Sequence, residues 1–451
     1  MESLPVEILR MILRRACYPL TEDLMSKHIS ERIFVIIEAK PVPNRRFGMT
    51  GDQRRKRLSE SSSGANLGRS RNFWNGNSTE HSIVLTCHKW AIVGLPILYD
   101  YISVRINSDP LLSTPIPFAS LNDVQVPYGH LIRTVDAGEF ETSQAIELLR
   151  LCPNLVSVRG LTLSIWSASD WALIRSLLTQ LRRLEALQLY VDAEPFNLAE
   201  HGADFDVVGP NFDDGSNEDN EPFFELPTPR PRLSSLRIFE SNLGCTRRMS
   251  NVLADWELPS LQYLCYHGHN HWSWDVNADA LSTFLAIHGS KLRGLSIDGQ
   301  PPASSSLLSL PTLCPNLIEF AVLKPWLLCT DLEFDSVLSY HHTLVEITFA
   351  HFEIDDLVAR DYEWSILKDP RGGLECIRRS NFPMLEKVYA RELTVVDLDD
   401  YLEDYGPTVK LSKWWKTLME GWEEENIKFI SRRDNNEVPL SLFCDKFLFE
   451  E

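Results

Sequence analysis

The feature that most constrains this chain is a hexapeptide pattern, Leu-x-x-apolar-x-apolar, recurring over much of its length. It occurs at Leu184-Leu187-Leu189, Leu233-Leu236-Ile238, Leu261-Leu264-Tyr266, Leu292-Leu295-Ile297, Leu317-Phe320-Val322 and Leu344-Ile347-Phe349, with weaker copies starting at Ile132, Leu155 and Leu385. Alternate side chains of an extended segment project to one face, so each copy reads as a short strand with one apolar face, entered through a buried Leu. Such a strand cannot bury its face alone and needs a neighbouring copy. The chain is therefore expected to build its core by stacking like units. The pentapeptide Leu-Cys-Pro-Asn-Leu, found at both 151–155 and 313–317, is the strongest sign of a repeating unit.

From 233 to 344 the copies are spaced by 28, 31, 25 and 27 residues. That spacing resembles leucine-rich repeats, whose period is roughly 20–29 residues. Segments Ser143–Leu151, Trp171–Leu178 and Ala278–His288 carry apolar residues at helical spacing and would form the outer layer of an α/β solenoid. Two steps are too long. The 49 residues from Leu184 to Leu233 include ten Asp or Glu and no Lys or Arg between Ala193 and Glu225, so an acidic loop over 193–225 with little fixed structure is expected. The 41 residues from Leu344 to Leu385 imply either an insertion or a degenerate repeat. Near the C-terminus Leu411, Trp415, Leu418 and Trp422 line one helical face, with Lys413, Lys416, Glu420 and Glu423 elsewhere on it. This predicts a capping helix whose tryptophans pack into the core.

Composition bounds the function. The chain has 44 Lys+Arg against 63 Asp+Glu, a net charge of −19, which disfavours nucleic acid and anionic membrane as partners. Nine cysteines without a CxxC pair do not read as a disulfide framework or a zinc cluster and suit a reducing compartment, cytoplasm or nucleus. Apolar runs fall far short of the ~20 residues that span a bilayer, and Met1-Glu2-Ser3 does not open a signal segment. No Gly-rich phosphate loop, HExxH, GxSxG or GxGxxG occurs, so neither an enzyme nor a cofactor is expected.

One segment invites a metal. In His267-Gly268-His269-Asn270-His271 the alternate spacing aims three imidazoles to one side if the backbone is extended. It follows a strand directly and runs into Trp272-Ser273-Trp274, so it reads instead as a loop at the strand's end, without a metal. Trp272 and Trp274 are then candidate contacts to a protein substrate, with the acidic loop favouring a basic one.

At the N-terminus, Leu4-Pro5-Val6-Glu7-Ile8-Leu9 opens a helical pattern in which Ile8, Met11 and Ile12 share a face. Leu85-Thr86-Cys87-His88-Lys89-Trp90 follows much later, and then Leu95-Pro96-Ile97-Leu98-Tyr99. In this order the three elements resemble the F-box of fungal, basidiomycete-type F-box proteins that carry degenerate leucine-rich repeats. The resemblance implies a small all-α module that docks on a Skp-family adaptor and through it on a cullin-RING (SCF-type) ubiquitin ligase. Residues Leu4, Pro5, Ile8, Leu9, Leu85, Cys87 and Trp90 would form the docking face, while the repeats hold a protein substrate. The departure from the family is an insertion over about residues 28–80, including Arg54-Arg55-Lys56-Arg57, polar and aperiodic and thus expected to be disordered. The expected organisation is an interrupted F-box-like module over 1–104, a leucine-rich repeat solenoid over 105–396, and an acidic C-terminal segment with its capping helix over 397–451. The alternative is a leucine-rich repeat scaffold that never joins a ligase.

Overall fold

A computed structural model describes residues 101–103, 115–121, 124–137, 142–164, 168–192, 230–241, 253, 255–267, 278–298, 310–322, 340–349, 374–390, 410–411, 413–433, 436–439 and 448–449. The F-box-like elements, the 28–80 insertion and the 193–225 loop lie outside them. Contacts divide the chain into two compact units, residues 1–161 with 180–184, and residues 162–179 with 185–451. The fold is α/β, built on open, predominantly parallel sheet.

In the first unit the strands are β1 (Tyr101–Ser103), β2 (Pro115–Leu121), β3 (Val124–Pro127), β4 (Thr134–Asp136) and the start of β5 (Ser157–Ser164). β1, β4 and β5 run parallel, with Ile102 beside Val135 and Val135 beside Val158. Helix α1 (Thr142–Leu151) connects β4 to β5. Its Ala145, Ile146, Leu148 and Leu149 are buried at the spacing that gives a helix one apolar face. β2 and β3 form a separate antiparallel pair.

The second unit begins within β5 and contains most of α2 (Ala168–Gln180), then β6 (Ala186–Asp192), β7 (Ile238–Ser241), β8 (Tyr263–His267), α3 (Ala278–His288), β9 (Gly294–Asp298), α4 (Leu310–Leu313), β10 (Glu319–Val322), β11 (Glu346–Phe349) and β12 (Lys387–Ala390). After them come β13 (Lys410–Leu411), α5 (Lys413–Glu424), β14 (Lys428–Arg433), β15 (Asn436–Pro439) and β16 (Leu448–Phe449). Strands β6 to β12 and then β14 pair in chain order, all parallel. β15 closes the edge by pairing antiparallel with β14.

The register aligns Leu187, Phe239, Leu264, Leu295, Phe320, Ile347, Val388 and Phe429 in one row across the ladder. This row faces the helices. Phe239 packs between Trp256 and Phe284 of α3, with ring centroids 6.1 and 6.2 Å away, and Trp171 of α2 stacks on Trp256 at 6.0 Å. The row also corrects the copy that the sequence starts at Leu233. Because Phe239 aligns with Leu187 and Leu264, the residue leading that strand is Leu236, three positions later than the Leu233 start read from the sequence. The hexapeptide itself favours the Leu233 start, because the frame from Leu236 puts Ser241 at the last apolar position.

A tight turn precedes the strands. The N–H of the leading residue donates to the carbonyl three residues back in Leu236→Leu233, Leu261→Leu258, Leu292→Gly289, Leu317→Cys314 and Leu385→Phe382, at 2.9–3.3 Å. The repeated pentapeptide serves this turn in both units. Cys152 and Cys314 are wholly buried, and burial pushes each thiol up to about 12. Each cysteine therefore acts as a small apolar filler. Asn154 Nδ2 donates to the His130 carbonyl and Asn316 Nδ2 to the Ser290 carbonyl, both at 2.8 Å, tying each turn to the preceding one. Ser260 and Thr343 make the equivalent bonds to Ser234 and Pro315.

Direct pairing of β11 with β12 leaves no place for a repeat between them, so the long step from Leu344 to Leu385 is an insertion. The C-terminal helix also departs from expectation. α5 does not end the array, since β14 follows it and joins the ladder beside β12. An amphipathic stripe looks alike in a cap and in an internal repeat helix, which is why the sequence pattern did not separate them. Trp422 is a core residue: fully buried, it meets Phe429 edge-on at 5.3 Å and donates from Nε1 to the Ile377 carbonyl at 2.7 Å.

Candidate functional site

The face of the β6–β14 ladder opposite the aromatic row presents Gln188, Glu240, Cys265, Ser296, Ala321, Thr348, Tyr389 and Ile430 at matching register. Between the apolar positions of the strands, the sequence alone predicts Gln188, Arg237, Gln262, Ser296 and Thr348 as exposed residues of one concave face. Gln188, Ser296 and Thr348 do share the row, but they are buried. Arg237 and Gln262 instead directly follow the leading Leu of their repeats, before β7 and β8 begin. The Arg237 shift follows from the misplaced start at Leu233.

At one stretch of this row the side chains converge. Strand alternation puts Cys265 and His267 of β8 on the same face, and pairing sets Glu240 of β7 beside Cys265 and Gln188 of β6 beside Glu240. Tyr190, two residues beyond Gln188, joins them. Gln188 Nε2 donates to Glu240 Oε1 and lies equally close to the Tyr190 hydroxyl oxygen, at 2.6 Å in both cases. The Tyr190 hydroxyl donates to Glu240 Oε1 as well. His267 Nε2 lies 2.8 Å from Glu240 Oε1, 3.4 Å from the Tyr190 hydroxyl and 3.5 Å from Cys265 Sγ. Glu240 is 1% exposed, and its other carboxylate oxygen, Oε2, is buried without a hydrogen-bond partner among the described residues.

A buried carboxylate is costly unless it is paired and hydrogen-bonded, and here one oxygen gathers the neighbouring donors while the second receives none. Tyr190 is tuned to its part. Burial, reinforced by the Glu240 charge and opposed by His267, raises its pKa well above the ordinary tyrosine value, so its hydroxyl keeps the proton it donates. Glu240, Cys265 and His267 each offer a metal-type donor atom, and these atoms all lie within 4.8 Å of one another. No other group of three such donors occurs among the described residues.

A scan against protein-family models and a search of curated proteins found no match to the chain. The site is thus read from its own residues.

Of the residues singled out in the sequence, His267 and Gln188 enter this cluster. The sequence predicts a loop from His267 onward, whereas His267 is the last residue of β8. Trp272 and Trp274, with Leu4, Pro5, Ile8, Leu9, Leu85, Cys87 and Trp90, lie outside the described residues. Glu240, Cys265 and Tyr190 were missed, although a signal existed. With the copy read from Leu233 started at Leu236 instead, Glu240 and Cys265 both fall four residues after a leading Leu, and Cys265-x-His267 is the alternation that places two side chains on one face. Among the described residues no helix is long and apolar enough to cross a membrane.

Proposed function

We infer that the chain is a non-catalytic substrate-recognition subunit of a cullin-RING ubiquitin ligase, with an F-box-like segment for a Skp-family adaptor and a leucine-rich repeat solenoid for a protein substrate. The observation that carries the solenoid half is the serial ladder. Strands follow one another in chain order, parallel and in one register, and polar turn side chains reach back to the preceding turn. A protein built from such units presents an extended surface suited to binding another protein. The ligase half is supported by the order of Leu4-Pro5-x-Glu7-Ile8-Leu9, Leu85-x-Cys87-x-x-Trp90 and Leu95-Pro96-x-Leu98-Tyr99 ahead of the array. The protein acts by proximity, holding its substrate close to a ubiquitin-charged enzyme that other subunits supply, in cytoplasm or nucleus.

Affinity purification of the full chain tests this. Adaptor and cullin are expected in the eluate, and Leu4→Asp with Ile8→Asp should remove both by placing charge in an apolar contact. A chain that recovers neither, yet captures other proteins, is an interaction scaffold outside any ligase.

A further inference from the structure

The geometry points to a zinc site on the strand ladder, formed by the Glu240 carboxylate, Cys265 Sγ and His267 Nε2, with Gln188 and Tyr190 as its positioning residues. Carboxylate, thiolate and imidazole are all established zinc ligands, and three protein ligands with a fourth position left to water form a recognised arrangement. Bonds of about 2.0–2.1 Å to nitrogen and about 2.3 Å to sulfur put those two donors roughly 3.5 Å apart on a tetrahedral ion. Cys265 Sγ and His267 Nε2 are separated by 3.5 Å. The Nε2–Oε1 distance of 2.8 Å is a hydrogen-bond length, so the ion enters by a small parting of His267 from Glu240.

Three further observations support the site. Glu240 Oε2 is buried and meets no hydrogen-bond partner among the described residues, which leaves a strong acceptor open to a cation. Oε1 is oriented by Gln188 and Tyr190, as outer donors orient a ligating carboxylate. The ligands lie on two adjacent strands in fixed register, which gives more exact placement than loops would. Binding replaces the Cys265 thiol proton by the metal and releases that proton to solvent, while neutral His267 coordinates through Nε2 with its own proton on Nδ1. One carboxylate and one thiolate then neutralise the dication. The competing arrangement is a His267–Glu240 ion pair with Cys265 as a bystander.

The test uses the full chain purified without chelator, with zinc quantified by mass spectrometry and cobalt(II) substituted for zinc as the spectroscopic probe. About one zinc per chain is expected, with a thiolate-to-cobalt charge-transfer band and the intense visible bands of tetrahedral cobalt. Cys265→Ser should abolish the charge-transfer band and lower zinc affinity at least tenfold, while Cys376→Ser should leave both unchanged. Glu240→Gln should weaken binding with the band retained. Where a removal variant fails to fold, His267→Cys decides, because it keeps a ligand and adds a second thiolate that should strengthen the band. Absence of zinc and cobalt binding, a full charge-transfer band in Cys265→Ser, or an unaltered band in His267→Cys overturns the site in favour of the ion pair.

Discussion

The two faces of the β6–β14 ladder obey different rules. On the helix side, the row from Leu187 to Phe429 is apolar at every strand and closed by Trp171, Trp256, Phe284 and Trp422. On the opposite side the row changes character, from Gln188, Glu240 and Cys265 to Ser296, Ala321 and Thr348. Each unit must bury one face against its neighbours to exist at all, so the first row is held to bulky apolar residues. The second row is buried as well, yet it admits polar residues at several strands, and there a chemically distinct group gathers. Adjacent residues in one strand, Phe239 and Glu240, thus answer to separate requirements.

Breaking that pair is the most direct test. Phe239→Ala removes the ring linking Trp256 to Phe284 and should destabilise the protein by about 3–5 kcal/mol. Glu240→Ala leaves Gln188 and Tyr190 without their shared acceptor and should cost about 1–3 kcal/mol. Urea unfolding followed by tryptophan fluorescence compares the two. Equal losses would mean that both faces form one core.

Close spacing of the turn layer supplies the next contrast. A Cβ added at Gly289 would sit 2.5 Å from the Leu313 carbonyl oxygen and 2.9 Å from Cys314 Sγ, so successive turns leave no room for a methyl group there. Since the nearest obstacle is backbone, Gly289→Ala should cost about 1–3 kcal/mol, despite alanine's better propensity for helical turns. A neutral or stabilising result in thermal unfolding would show that the layers can slide apart.

The helix-side face was largely legible in the sequence and the polar face was not, for a physical reason. Apolar periodicity records a requirement repeated at each unit, and repetition lets Leu261, Leu292 and Leu317 be aligned by eye. Glu240, Cys265 and His267 occur once. Their meeting depends on register between strands separated by loops of unequal length, and a three-residue error at Leu233 was enough to hide it. The pentapeptide showed the reverse. Its recurrence is plain, but the reach of Asn154 and Asn316 to the previous turn depends on how successive turns stack, which the pentapeptide does not encode.

Those asparagines allow a comparison between the units themselves. Asn154→Ala and Asn316→Ala each delete one hydrogen bond to a carbonyl that water can solvate instead, so each should cost about 0.5 kcal/mol, the lower end for such a bond. The effects should be alike and additive in the double variant, because the bonds share no partner. A strongly larger loss from one of them, measured by chemical denaturation, would show that the same pentapeptide carries unequal weight in the two units.

The smallest expected effect concerns two of the buried histidines, one in each region. His341 lies in the turn layer, its Nε2 3.0 Å from the Cys314 carbonyl, whereas His267 belongs to the polar face. Burial, with nearby His342, lowers the His341 pKa below its ordinary 6.5, and the hydrogen bond to the carbonyl only partly opposes this. Above that pH neither the folded nor the unfolded chain holds the proton, and His341 adds no pH dependence. As pH falls below 6.5 the unfolded state takes up a proton that the folded state refuses, so stability is lost until the depressed folded pKa is passed. His341→Gln retains an N–H for the Cys314 carbonyl and removes the titration. Its denaturation midpoint should therefore decline less than that of the unaltered chain on acidification through this window, with little difference at higher pH. Parallel declines in the two proteins would assign the acid sensitivity to other groups.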